Sequence, residues 1–159
     1  MNQELLKQLF DYKDGQLIKK IKSTGTKVGS IAGSLHHTGY VQIGIKGKKY
    51  SAHRLIFLYH HGYLPKEIDH IDGNRSNNLI ENLRAATVEQ NRHNRKLSKN
   101  NTSGIKGVSW HKNAKKWTVN LMTNKKLKNF GFYFDIDYAK FVAEFIRSKY
   151  HKEFSNHGK

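Results

Sequence analysis

Alternation of apolar and polar positions divides this chain into short elements, and the spacing changes character three times along it. Asn2 to Phe10 has helical spacing, and the rest of residues 1–50 reads as strands punctuated by glycine. Gly39-Tyr40-Val41-Gln42-Ile43-Gly44-Ile45 alternates in strand fashion, and Lys46-Gly47-Lys48 turns it back into Lys49-Tyr50-Ser51. Ala52 to His61 predicts an apolar helix stopped by Gly62. Glu67 to Ile71 predicts a short strand, Asp72 to Asn78 a polar loop, and Asn82-Leu83-Arg84 a second extended piece. Thr87-Val88-Glu89-Gln90 has the form of a capping box, so a helix is expected from Val88 to about Leu97, with Asn91 and Arg95 on one face.

Ser98 to Ser103 is a polar linker and the expected domain boundary, giving parts at 1–97 and 104–159. Beyond it, Gly104 to Trp110, Lys116 to Thr123 and Lys126 to Phe132 read as three strands. In the second, Trp117, Val119 and Leu121 alternate with Thr118, Asn120 and Met122. Asp135 is a suitable N-cap for a helix from Ile136 to about His151, whose Ala139, Val142, Ala143, Ile146 and Tyr150 form an apolar stripe. The expected fold class is α+β, ending in a three-stranded antiparallel sheet packed on one helix.

Charge changes this picture from architecture to partner. The 159 residues carry 29 Lys+Arg against 12 Asp+Glu, a formal net charge of +17. Such an excess points to polyanions, nucleic acid before membrane surface. The longest uncharged apolar-leaning stretch, Leu55 to Pro65, is too short for a membrane span, which takes about 20 residues. No basic start followed by an apolar run opens the chain, so a soluble, cytoplasmic protein is expected. The absence of cysteine excludes disulfides, Cys-ligated zinc and thiol catalysis. Gln90 to Phe134 is free of acids and holds eleven of the Lys and Arg residues, whereas Glu67 to Glu89 is acid-bearing. A cation-holding patch beside a basic surface suits a nuclease.

The chemistry concentrates between Asp69 and Asn91. Phosphodiester hydrolysis needs a base for water, a cation to offset charge on the phosphorane, and help for the leaving oxygen. A neutral His near pKa 6.5 can take the proton. A carboxylate and an amide oxygen are hard ligands suited to Mg²⁺ or Mn²⁺. Asp72-Gly73-Asn74 is not a calcium loop, because the residues two and four before Asp72 are His70 and Ile68. His36-His37 and His60-His61 have no carboxylate at helical spacing and are expected to face solvent or phosphate.

Asp69-His70-Ile71-Asp72-Gly73-Asn74, then Asn78-Leu79, Asn82-Leu83-Arg84 and Gln90-Asn91, resemble the motif of HNH endonucleases of the ββα-metal superfamily. The form is the His-Asn-Asn variant of phage and group I intron homing enzymes. The leader His53-Arg54-Leu55 with Gly62-Tyr63-Leu64-Pro65 is similar to the segment upstream of that motif. The resemblance implies Asp69 and Asn91 as metal ligands and His70 as general base. It implies Asn82 as the brace of the loop that orients the histidine. Spacings of 13 from Asp69 to Asn82 and 9 from Asn82 to Asn91 fit it. Asn91 stands where many relatives have His, which implies a minimal metal site in a slow, nicking-prone enzyme. Arg54, Arg84 and Arg95 are candidates for phosphate contact, each equally readable as a solvated charge.

Gly104 to Trp110, Lys116-Trp117-Thr118-Val119, Phe130-Gly131-Phe132 and the helix after Asp135 resemble the DNA-binding domain of the ethylene-response-factor (APETALA-two) type. In that fold the sheet lies in the major groove. Alternation places Thr118 and Asn120 outward, and the resemblance adds Lys106, Ser109, His111, Lys116 and Asn129 as DNA-binding candidates. Trp110 is expected in the core. No arginine lies between Lys96 and Ile146, so bidentate guanine readout is missing, and Lys–phosphate contacts with an A·T lean are expected. Double-stranded DNA is the expected partner, with the protein acting as a monomer in the host cytoplasm. Two rivals stay open: a DNA-binding protein with a decayed nuclease core, and an RNA-binding basic protein.

Overall fold

The computed structural model describes residues 1–22 and 25–158; Ser23 and Thr24 of the glycine-punctuated region, and Lys159 at the end of the expected C-terminal module, lie outside them. The chain mixes helices with small antiparallel sheets and divides into two compact units, residues 1–87 and 88–159.

In the first unit, helix α1 (Gln3–Leu9) starts on Asn2, whose Oδ1 accepts from Leu5 N at 3.0 Å. Strands β1 (Phe10–Lys13) and β2 (Gln16–Lys19) form a hairpin whose turn residues Asp14 and Gly15 have φ of 47° and 77°. Positive φ at both positions matches the right-handed twist of the strands. Gly15 is also required sterically, because a Cβ there would lie 2.9 Å from Leu79 N. Strands β3 (Ser34–Leu35), β4 (Val41–Ile45) and β5 (Lys48–Ser51) form an antiparallel sheet in that order, with Lys46-Gly47 as the turn.

Helix α2 (Ala52–His61) follows directly and ends at Gly62 in the left-handed region. Its Leu55, Ile56, Phe57 and Leu58 are all buried, so this helix is wrapped rather than laid on a surface. With Leu6, Phe10, Leu17 and Ile43 they form a core that also takes in Ile68 and Leu83. Those last two belong to β6 (Glu67–His70) and β7 (Leu83–Ala86), an antiparallel pair closed by a loop and a short 3₁₀ turn at Ile80–Asn82. Tyr12 Oη accepts from Ile80 N at 3.1 Å, so the first hairpin supports the base of that loop.

In the second unit, helix α3 (Val88–His93) precedes β8 (Val108–His111), β9 (Lys116–Thr123) and β10 (Lys126–Tyr133), ordered β10-β9-β8. Helix α4 (Ile136–His151) is capped by Asp135, whose Oδ1 accepts from Tyr138 N at 2.6 Å. Val108, Val119 and Leu121 pack on Ala139, Ala143 and Ile146, a core that needs no metal. Trp110 departs from its expected core position: it is 46% exposed, edge-on to Trp117 at 5.1 Å.

Helix α3 stops at His93, four residues short of the predicted Leu97. Lys106 Nζ donates to the carbonyls of His93 and Arg95, and Asn94 is buried and accepts from Asn156 Nδ2 at 3.2 Å. His93 also stacks on His151 of α4 at 3.5 Å. These tertiary partners replace the next helical turn and group α3 with the C-terminal sheet and helix. The polar stretch 98–103 is likewise structured. Asn101 Nδ2 donates to Ile105 O at 3.0 Å, and Ser103 Oγ lies 2.7 Å from Val108 O.

Lys152, at the C-cap of α4, has φ of 50° and ψ of −128°, a region where a Cβ is strained. Lys152→Gly is expected to stabilise the chain by about 1 kcal/mol. Thermal unfolding of the two proteins side by side measures it, and an unchanged or lower Tm contradicts it.

Candidate active site

Asp69 and His70 end β6 and are 3% and 5% exposed. In the antiparallel register Asp69 lies opposite Arg84, so the two side chains share a face. Arg84 Nε and Nη2 both donate to Asp69 Oδ2, at 2.9 and 2.7 Å. Burying a carboxylate is costly unless a cation lies beside it. Arg84 supplies that charge here, which puts the guanidinium on a proposed metal ligand rather than on phosphate.

His70 Nε2 lies 3.2 Å from Asn78 Oδ1. An amide oxygen only accepts, so Nε2 carries the proton and Nδ1 holds the basic lone pair. Burial pushes the His70 pKa below the usual imidazole value, partly opposed by the Asn78 hydrogen bond and the Asp72 and Asp69 carboxylates. The ring is therefore neutral at neutral pH.

Asn82 makes its contacts with the loop. Its Oδ1 accepts from Asp72 N at 3.0 Å, and its Nδ2 reaches Asp72 Oδ1 at 3.0 Å and Asn77 O at 2.8 Å. Asp72 in turn accepts from Asn74 N at 2.7 Å and Asn77 Nδ2 at 2.7 Å. Burial works to raise the Asp72 pKa, but the hydrogen bonds from Asn77, Asn74 and Asn82 outweigh it and hold the carboxyl low. Asp72 and Asn78 thus join the site beyond the residues that the motif resemblance assigns to it. The Asp-Gly-Asn turn signalled the first, and nothing local signals that Asn78 would reach a histidine eight positions back.

Around His70 stands a set of rings. His53, from α2, is edge-on to it at 5.1 Å, Tyr40 lies 5.2 Å from His53, and Arg75 covers Tyr40 at 5.0 Å. Arg75 Nη1 also donates to Thr38 O at 3.0 Å, tying the active-site loop to the β3–β4 turn. His53 Nδ1 is buried without a hydrogen-bond partner, and burial, then His70 and Arg54, lower its pKa to about 3. Between that value and 6.5 the unfolded chain binds the proton that the folded chain refuses. Stability therefore rises with pH across this window, is complete above 6.5, and is lost as pH falls. Lowering the pH from 7.5 to 5 is expected to cost about 2 kcal/mol through this group alone. Urea unfolding at both pH values measures the loss, and His53→Gln should shrink it; an equal loss in the variant contradicts the assignment.

The other candidates fall into two groups. Arg54 donates to Pro65 O and Lys66 O at 3.4 and 3.5 Å, pinning the turn after α2, while Arg95 is exposed and Asn91 is half-buried on α3. His60 and His61 pack on Tyr12 and Phe57, at 4.4 and 4.2 Å between rings. Lys106 spends its ammonium on carbonyls, and burial, then Arg147, lower its pKa to about 8.

The sheet, by contrast, gathers its six. Ser109 lies opposite Thr118, His111 opposite Lys116 and Asn120 opposite Asn129, all on the face away from the core. Asn129 Nδ2 donates to Thr118 Oγ1 at 2.6 Å and to Asn120 Oδ1 at 3.1 Å, and this network leaves Thr118 only 6% exposed. Lys116 Nζ sits 4.3 Å from the Phe134 ring. Phe132, opposite Thr118, is 46% exposed on the same face and adds an aromatic surface to it.

Residues 50–93 match the family model described as HNH endonuclease, from the end of β5 through α2, the β6–β7 pair and its loop, to α3. Over those residues the chain is similar to HNH endonucleases. Among curated proteins, it is 45% identical over 71 residues to Protein 3.8 of Escherichia phage T7, covering 43% of this chain and 59% of that protein. It is 42% identical over 64 residues to an uncharacterized HNH endonuclease of Acanthamoeba polyphaga mimivirus, covering 38% of this chain and 34% of that protein. The chain therefore spans about a third to three-fifths of these relatives. No solved structure matches it. No helix among the described residues is long and apolar enough to cross a membrane.

Proposed function

We propose that this protein is a metal-dependent DNA endonuclease of the ββα-metal type, cutting or nicking double-stranded DNA in the host cytoplasm. The observation that carries the reading is the buried His70 held by Asn78, adjacent to the buried carboxylate of Asp69, inside the residues that match the HNH family. His70 Nδ1 takes a proton from water as the water oxygen bonds to phosphorus. The bond from phosphorus to the leaving 3′ oxygen breaks and that oxygen takes a proton from solvent, giving 5′-phosphate and 3′-hydroxyl ends. Asn82 and Asp72 keep the loop that carries Asn78 in place, so the imidazole has one orientation.

The donor chemistry suits a hard divalent ion: Asp69 offers a carboxylate whose charge already demands a cation. Asp69, with Asn91 assigned by the motif pattern, would hold Mg²⁺ or Mn²⁺. Bound there, the ion would offset charge building on the scissile phosphate. Arg84 is the competing cation, and the residue that balances the site without metal.

Residues 104–158 act in this reading as an ethylene-response-factor type anchor with the outward face of β8–β10 against DNA. Such an anchor raises the effective DNA concentration at the nuclease site. A homing role follows from the motif variant. Lys-dominated binding is expected to lose roughly 0.9 log unit of affinity per phosphate contact for each log unit of salt. Site selection with the chain should return a modest A·T-leaning preference; a tight G·C-rich consensus contradicts it.

The nuclease reading is tested by incubating supercoiled plasmid with the protein and Mg²⁺ or Mn²⁺ beside His70→Ala. Nicked or linear product from the wild type alone supports it. Intact plasmid with retained gel retardation returns the decayed-core alternative.

A further inference from the structure

Helix α4 has two apolar faces, and the core uses one. Ala139, Ala143 and Ile146 face the sheet. Outside that contact, Tyr138, Phe141 and Phe145 stand at i, i+3 and i+7 and are 57%, 63% and 60% exposed, with Tyr138 also edge-on to Tyr133 of β10 at 5.5 Å. They form a row, with ring centroids 6.3 Å apart between Tyr138 and Phe141 and 6.4 Å between Phe141 and Phe145. A contiguous aromatic row of this kind marks an interaction face.

The charges beside the row select its occupant. Asp137 and Glu144 would oppose a phosphate backbone, and the DNA-facing candidates lie on the other face of the sheet. An interfacial helix that lies on an anionic membrane carries mainly Lys and Arg on its flanks. Here two acids, Asp137 and Glu144, balance two bases, Lys140 and Lys149. The arrangement is self-complementary when the helix is reversed about a point between Phe141 and Val142. That operation sets Tyr138 opposite Phe145 of the second copy, brings the two Phe141 rings to the axis, and places Lys140 beside Glu144 of the second copy on the same flank. A two-fold axis needs this kind of match, since each patch must recognise itself.

We propose that the Tyr138–Phe141–Phe145 row of α4 is a self-association surface that seats α4 of a second copy antiparallel. This replaces the monomer expected from sequence and stands independently of the nuclease reading. A fully buried aromatic covers about 150–250 Å². Three aromatics and their flanks give a two-sided interface on the order of 1,000 Å², the lower edge of specific association, so the dimer is weak.

Sedimentation velocity of the full chain from about 5 to 300 μM tests it, with reversible self-association expected within that range. Phe141→Lys with Phe145→Lys should sediment as a monomer throughout while keeping its far-ultraviolet spectrum. Lys140→Glu should weaken association several-fold, and adding Glu144→Lys should restore it. A wild type monomeric at 300 μM, a Phe141→Lys/Phe145→Lys variant that associates like wild type, or a charge swap without rescue overturns the proposal. So does row-dependent binding to phosphatidylserine vesicles without self-association, which would make the face a membrane surface.

Discussion

Replacing His70 by Ala is expected to lower DNA cleavage by about 10²–10⁴-fold while leaving DNA retardation intact. The size follows from what the side chain does: a positioned base is lost, and the remaining groups cannot take the proton. Truncation also leaves Asn78 Oδ1, in a residue only 4% exposed, without its donor, which costs about 1–3 kcal/mol of stability. Asn78→Ala separates the two effects. It keeps the base and removes the partner that fixes its tautomer, so cleavage should fall less than in His70→Ala. Initial rates on supercoiled plasmid, read beside urea unfolding curves, distinguish lost chemistry from lost fold. Equal rates for wild type and His70→Ala at equal folded fraction would remove His70 from the mechanism.

The largest stability effect is expected at Asp69 and Arg84. Their side chains are 4% and 17% exposed and joined at 2.7 Å, so removing one leaves a poorly solvated charge. Asp69→Asn and Arg84→Gln should each destabilise by about 3–5 kcal/mol, and the double variant should recover part of the loss. The Arg84→Gln chain also reports on metal without any activity measurement. It exposes the Asp69 carboxylate to a competing cation, so Mn²⁺ should raise its Tm more than that of the wild type. The reverse order, or no shift in either, would exclude Asp69 as a metal ligand.

Much of the local structure was legible. Helix α4 carried a capping aspartate and an apolar stripe, and it runs from Ile136 to His151 as the stripe predicts. Strand β9 carried strict alternation and spans Lys116 to Thr123. Helix α2 was legible from its glycine stop. Helix α3 was not, because a six-residue helix draws its end from Lys106, Asn156 and His151 rather than from its own turns. Trp110 also escaped, since alternation gives the face of a residue but not whether the helix extends far enough to cover it.

The candidate site divides along the same line. Residue order and spacing determined which groups are available: a carboxylate and imidazole in sequence, an amide thirteen residues on, and a basic run of Lys and Arg with no acid among them. These follow from the chain alone because chemistry and periodicity are local properties. Only the tertiary structure decided that Arg84 neutralises Asp69, that Asn78, on the loop Asn82 braces, reaches His70, and that Lys106 ends on carbonyls. Each of these depends on strand register or loop closure, which brings distant groups together under burial. Burial then favours pairing of charges and donors, and the partner is whichever group the fold puts within reach.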